Sequence, residues 1–175
     1  MLEKELKILE INPEKLIKKL EKFWAIKTFE WDIHDTYYDF DDTTLDKIKM
    51  SLRIRKKAWK FLYTIKKKIP HSSIKVSKEI EYPIKCIKTY KNRLDKHNLN
   101  INREKKKYRI SYKIWETIFD IDFYKEFPPL VEIEAQNEEE IKKWIKKLKL
   151  EKNIQKKFWY RWLVKFYKKK NKEKK

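Results

Sequence analysis

Apolar and polar residues alternate with a period of two along most of the chain, interrupted by stretches where apolar residues recur every three or four positions. Leu52 and Ile54 alternate with Arg53 and Arg55, Tyr108 and Ile110 with Lys107 and Arg109, and Val131 and Ile133 with Glu132 and Glu134. Successive side chains of an extended chain point to opposite faces, so each run predicts a strand with one apolar and one ionic face. On this pattern strands occupy residues 3–7, 28–40, 49–57, 58 or 59–69, 74–82, 105–114, 116–123 and 130–135. Helical spacing predicts four helices. The first begins at Asn12-Pro13-Glu14, an N-cap, a proline at the first helical position and an acid in the first turn, and carries the stripe Leu16, Ile17, Leu20, Phe23 and Trp24. The second carries Ile84, Ile87, Tyr90 and Leu94 after Pro83. The third follows the capping-box spacing of Asn137 and Glu140 with Ile141, Trp144, Ile145 and Leu148. The fourth spans 154–168, with Phe158, Trp162, Leu163 and Phe166 for docking, and the lysine-rich segment 169–175 is expected as a solvated tail.

The 175 residues, 41% of them hydrophobic, suffice for one domain, expected over 1–168. Glycine is absent, so Asn and Asp must carry the turns that need positive φ, or the loops must be longer. Most of the seven tryptophans fall on helical stripes or apolar strand faces, which predicts packing in the core. Forty-seven Lys and Arg against 27 acids give a net charge of +20, which points to a polyanionic partner, although lysines spread over the whole length do not locate its face. The lone Cys86 excludes an internal disulfide, and a terminus charged from its third residue does not read as a signal peptide, so a cytoplasmic protein is expected. No apolar stretch is long enough for membrane insertion. His34, His71 and His97 lack metal-ligand spacing with each other or with Cys86 and read as loop or surface residues.

The ionic faces carry the candidate chemistry. Glu3 and Glu5 share a face with Lys7, and Glu132 and Glu134 share another; side-by-side carboxylates repel unless they lie in bulk water or hold a cation such as Mg²⁺ or Mn²⁺ between them. A merely soluble surface mixes signs along a strand. Here acidic strands stand at both ends of the chain and arginine-bearing strands in the middle. If helices cover the apolar side of a strongly curled sheet, the ionic side lines a tunnel of mixed charge, which a metal-bound polyphosphate would satisfy.

The ordered set Glu3-x-Glu5-x-Lys7, Asp35-Thr36-Tyr37-Tyr38-Asp39, Leu52-Arg53-Ile54-Arg55, Thr64-Ile65-Lys66, Glu79-x-Glu81, Lys107-Tyr108-Arg109-Ile110-Ser111-Tyr112, Phe119-Asp120-Ile121-Asp122 and Leu130-Val131-Glu132-Ile133-Glu134 resembles the CYTH superfamily of triphosphate tunnel metalloenzymes. That superfamily includes thiamine triphosphatases, inorganic triphosphatases and class IV adenylate cyclases. The resemblance implies an α+β fold, an eight-stranded antiparallel β-barrel with helices outside. It implies Mg²⁺ or Mn²⁺ bound by Glu3, Glu5, Glu132, Glu134 and an aspartate, Asp122 first and Asp120 second. Lys7, Arg53, Arg55, Lys66 and Arg109 would hold the triphosphate catalytically, with Lys107 beside them. Glu79 and Glu81 would order the basic residues or assist a second metal. Where relatives often carry arginine just before the Glu79 motif, this chain has Ser77-Lys78. The expected activity is metal-dependent hydrolysis of tripolyphosphate or an organic or nucleoside triphosphate. Formation of cyclic AMP from ATP is the alternative, and RNA 5′-triphosphatase action or non-catalytic binding of polyphosphate or nucleic acid stand behind it. The expected partner is therefore a small triphosphate, with an RNA 5′ end as a further one and no membrane.

Overall fold

The computed structural model describes residues 2–70, 73–157 and 160–172. Strands β1 (Leu2–Leu9), β2 (Ile26–Asp39), β3 (Met50–Lys57), β4 (Lys60–Ile69), β5 (Lys75–Ile84), β6 (Asn100–Ile114), β7 (Thr117–Phe123), β8 (Leu130–Glu134) and β9 (Gln155–Lys156) alternate with helices α1 (Pro13–Lys22), α2 (Thr44–Lys47), α3 (Ile87–Lys96), α4 (Glu138–Lys147) and α5 (Tyr160–Lys172). Hydrogen-bonded neighbours run β5-β4-β3-β2-β6-β7-β8-β1-β9, and β5 also pairs with β1, so the ladder of the first eight strands closes. The β1–β8, β2–β3, β3–β4, β4–β5, β6–β7 and β7–β8 pairings are antiparallel. This is an α+β fold, a closed eight-stranded β-barrel with one added strand.

Contacts divide the chain into two compact units. In the unit of Met1–Glu3, Trp31–Pro70 and Val76–Lys107, a core of Tyr38, Leu52, Ile54 and Ile84 receives Leu94 of α3. Leu52 and Ile54 are the apolar half of the Arg53/Arg55 alternation, so burying them sends both arginines to the opposite face. Asp39 caps the short α2, accepting from the Leu45 and Asp46 backbone N–H groups at 2.9 and 3.2 Å. In the unit of Lys4–Glu30, His71–Lys75 and Tyr108–Lys175, Ile8, Phe119, Ile121, Val131 and Ile133 are fully buried, opposite the ionic positions of the same strands. Phe119 packs edge-on against Trp144 of α4 at 5.3 Å. Asn12 and Asn137 cap α1 and α4 as the sequence predicts, accepting from Lys15 and Glu140 N–H at 2.9 and 2.8 Å. Leu163 and Tyr167 of α5 join Leu9, Phe127 and Leu130 in a second core.

Several element limits differ from expectation. Residues 155 and 156 form β9 on Lys7 and Ile8 rather than starting the last helix, because Ile154 is held against the α5 core. Helix α5 then continues through Lys172, taking in residues 169–172 of the expected tail; nothing in Lys168-Lys169-Lys170-Asn171-Lys172 breaks a helix. Ile84 ends β5 instead of opening α3, β6 begins five residues before its expected start, and His34 sits half-buried in β2 beside Glu104 at 3.2 Å. The expectations for Phe158, His71 and residues 173–175 fall outside the described residues.

The turn and tryptophan expectations are overturned together. Among the described residues positive φ falls on Glu10, Trp24, Thr43, Lys49, Ala58, Trp115 and Lys149, and only Asn98 is of the expected type. Lys57 pairs with Lys60 and Ile114 with Thr117, so each hairpin turns in two residues, and register rather than residue preference forces Ala58 and Trp115 left-handed. Trp59 and Trp115 thus sit at hairpin tips, 77% and 88% exposed, and Trp24 is 89% exposed after α1. Trp31 and Trp162 are also exposed, and Trp144 alone of the described tryptophans is buried. A left-handed non-glycine residue costs about 1–2 kcal/mol. Ala58→Gly is therefore expected to stabilise the protein by about 1 kcal/mol, raising its thermal midpoint by roughly 2–4 °C in a calorimetric melt; a lowered midpoint would refute the strain.

Candidate active site

Each unit buries one ionic network. In the first, Arg55 grips Asp35 with two parallel bonds, Nε to Oδ1 at 2.6 Å and a terminal nitrogen to Oδ2 at 3.0 Å, and Lys105 approaches the same carboxylate at 3.1 Å. Asp35 pairs directly with Arg55 in the β2–β3 register. Burial alone would raise its pKa, but Arg55, Lys105 and Arg53 hold it well below the usual carboxylate range. Lys66 is clasped by Glu3 at 2.7 Å and Glu79 at 2.5 Å, and Ser77 donates to Glu3 at 2.8 Å. Glu81 accepts from Thr64, its register partner, at 2.8 Å.

Arg53 is held differently. It is only 7% exposed, yet its nearest carboxylates, Glu79, Asp35 and Glu81, stand at 3.5, 3.7 and 3.7 Å, and its buried Nε has no hydrogen-bond partner. Leaving a buried charged donor unsatisfied costs about 1–3 kcal/mol or more. Burial works against its charge, but Asp35, Tyr37 and Glu79 keep it firmly protonated.

Tyr37 lies over this network with the Arg103 guanidinium 4.0 Å from its ring centroid. Burial opposes ionisation of the phenol, but Lys105, Arg53 and Arg55 outweigh burial and Asp35, and its pKa is pushed down to about 7. Because the phenol ionises more easily in the folded state, it contributes stability that is fully present above the ordinary tyrosine range and lost as pH falls through about 7. A near-ultraviolet phenolate titration near neutrality, absent in Tyr37→Phe, is the expected result; identical titrations of the two proteins would exclude it.

In the second network Glu5 sits between Lys7 and Lys75, the latter at 2.7 Å, and Lys7 reaches Glu132 at 2.9 Å. Burial would lower the Lys7 pKa, but Glu132 and Glu5 raise it above the ordinary lysine range. Arg109 bonds Asp122 through Nε at 2.5 Å and a terminal nitrogen at 2.6 Å, Glu132 at 2.6 Å, and Asp120 through its other terminal nitrogen. Ser111 donates to Asp120 at 2.6 Å. Lys107, on the same face of β6, is buried.

Of the residues expected at the site, Glu3, Arg53, Arg55, Lys66, Glu79 and Glu81 lie in the first network and Glu5, Lys7, Arg109, Asp120, Asp122 and Glu132 in the second, while Lys107 is buried on β6. Glu134 stands directly opposite Glu5 in the β1–β8 register, and Glu132 opposite Asp120 in β7–β8. Sequence reasoning missed the roles of Asp35, Lys75, Ser77, Lys105 and Ser111. Their signal was parity: Lys75 and Ser77 share the face of Glu79, and Lys105 and Ser111 that of Lys107 and Arg109.

Whether these residues suit a divalent metal can be tested on their chemistry. Among the described residues no three His, Cys, Asp or Glu side chains are gathered as a metal would gather them, since Lys7, Lys75, Lys66 and Arg109 hold the carboxylates. The donor set nevertheless fits. It is all hard carboxylate oxygen, and two pairs of acids, Glu5 with Glu134 and Asp120 with Glu132, face each other in register, a repulsion that a cation relieves, as Arg109 does between Asp120 and Glu132.

The fold, a closed barrel whose strands bury charged side chains on one face and apolar ones on the other, defines the class of protein. The CYTH domain model matches residues 1–157, and the chain belongs to that family. A comparison with curated proteins finds no match. Solved structures share the fold. Pyrococcus horikoshii PH1819 is 22% identical with a TM-score of 0.71, over 93% of this chain and 97% of its own. A Vibrio parahaemolyticus protein described as an adenylate cyclase candidate is 20% identical with a TM-score of 0.69, over 85% and 84%. A Hippeastrum adenylyl cyclase candidate described as having a dominant triphosphatase activity is 14% identical with a TM-score of 0.61, over 85% and 88%. No helix among the described residues is long and apolar enough to cross a membrane.

Proposed function

We propose that this CYTH protein hydrolyses a triphosphate, inorganic tripolyphosphate or an organic or nucleoside triphosphate, with Mg²⁺ or Mn²⁺. The observation that carries the proposal is Arg53: a buried guanidinium whose Nε is unsatisfied and whose carboxylate partners stand no nearer than 3.5 Å keeps a donor ready for a phosphate oxygen. A carboxylate-rich metal donor set beside buried cations matches a metal–polyphosphate and has little use for a neutral ligand. Family membership supports the same reading.

Glu3, Glu5, Glu132, Glu134 and Asp122, with Asp120 as the second aspartate, are assigned to the metal, which when bound polarises phosphate oxygens and acidifies water. Arg53, Arg55, Lys66, Lys7, Lys107 and Arg109 are assigned to the phosphate groups. Arg53 supplies its unbonded Nε. Arg55 is fixed by Asp35, and Lys66 by Glu3 and Glu79, so both stand oriented before substrate arrives. Glu79 and Glu81 order these cations. No covalent nucleophile is required, because positioning and charge neutralisation carry most of phosphoryl transfer.

The test is a panel of tripolyphosphate, ATP, thiamine triphosphate and 5′-triphosphorylated RNA with each metal, scored for orthophosphate, pyrophosphate and cyclic AMP. Orthophosphate from one substrate supports the proposal, and cyclic AMP from ATP would replace it with cyclisation. If no substrate turns over, the protein is a binder. Arg53→Lys, which keeps the charge but removes the fork, is expected to lower kcat/KM by at least tenfold.

A further inference from the structure

Helix α5 begins after the stretch that matches the family model, which ends at residue 157. Its apolar stripe is already used: Leu163 and Tyr167 are buried against Leu9, Phe127 and Leu130, with Val164 and Phe166 partly buried beside them. The outward face is cationic. Arg161, Lys165, Lys168, Lys169 and Lys172 are exposed, and no acidic residue lies between 160 and 172. At about 1.5 Å per residue this stripe is roughly 16 Å long. At its start lies Trp162, 58% exposed, with the Lys165 ammonium 5.4 Å from its ring centroid.

We propose that the outward face of α5 is a docking surface for single-stranded nucleic acid. Such a strand needs two things from a protein, cations that track its phosphates and an exposed aromatic on which a base can stack, and α5 offers both on one face. A lipid surface needs something else. An interfacial helix sinks its apolar face into the acyl boundary, and in α5 that face is packed on the protein's own core. Charge alone would accept any polyanion, whereas Trp162 adds a preference for one that carries bases. This inference goes beyond the hydrolase reading and stands without it, since it uses no residue assigned there.

The test is fluorescence anisotropy of the full chain with a labelled oligouridylate lacking a 5′ triphosphate, over a series of salt concentrations. Five phosphate contacts predict a log–log salt slope of about −3.5. Lys165→Glu, Lys168→Glu and Lys169→Glu together are expected to weaken binding at least tenfold and flatten that slope. Trp162→Ala should weaken it roughly five- to hundredfold while leaving binding of base-free polyphosphate unchanged. Tripolyphosphate hydrolysis, if present, should be unaffected by either variant. All these positions are exposed, and an unchanged thermal melt verifies folding. The proposal is overturned if charge reversal changes RNA affinity less than twofold. It is equally overturned if the wild-type chain binds phosphatidylserine vesicles but not the oligonucleotide, or if Trp162→Ala weakens polyphosphate and RNA alike.

Discussion

Replacing Arg109 by methionine is expected to destabilise the protein by about 3–5 kcal/mol, a loss of roughly 6–20 °C in thermal midpoint. The reason lies in what Arg109 touches. Its guanidinium bonds Asp122, Asp120 and Glu132 at once, and Asp122 is fully buried. Methionine fills much of the same volume but leaves three acids crowded without their counterion. One further measurement separates this cause from simple misfit. Added Mg²⁺ or Mn²⁺ should stabilise the variant more than the parent, because a divalent cation can replace the lost positive charge. A variant that melts with its parent would mean that the three acids do not depend on Arg109, and the second network would have to be redrawn.

What was readable in the chain was the face on which each side chain lies. What was not readable was its partner across the ladder. Period-two alternation put Arg53 and Arg55 opposite Leu52 and Ile54, and Asp120 and Asp122 opposite Ile121, and the structure keeps every one of those assignments. Register is non-local, however, and register decides that Asp35 meets Arg55, that Lys66 meets Glu79, and that Glu5 faces Glu134. Asp35 illustrates the gap: it was visible within a motif, but nothing local indicated that three cations converge on it. Lys75 was overlooked for the same reason. The tryptophans failed differently. Their spacing matched core stripes, but closing a hairpin at Ile114–Thr117 leaves Trp115 in the turn regardless of its size. Short pairings such as β9 leave no periodic trace in two residues. Strand faces, and hence the composition of the ionic wall, were thus legible; the pairings that organise it were not.

Glu5→Gln should reduce metal-dependent turnover by at least a hundredfold, about 2.7 kcal/mol in transition-state terms. Glu5 is clasped by two lysines, Lys7 and Lys75, and it also faces Glu134 across the ladder. A neutral amide keeps the shape and can still accept from both ammonium groups, so the fold should lose less than it does at Arg109. What disappears is the charge that would hold a divalent ion. Metal affinity gives a readout independent of turnover: Mn²⁺ should raise the thermal midpoint of the parent in proportion to the logarithm of its concentration, and Glu5→Gln should blunt that rise. Lys75 supplies the opposing control. If its ammonium competes with the cation for Glu5, then Lys75→Gln should bind Mn²⁺ more tightly than the parent. Should Glu5→Gln turn over and bind Mn²⁺ as the parent does, Glu5 serves only to bury Lys7 and Lys75, and the metal belongs elsewhere in the chain.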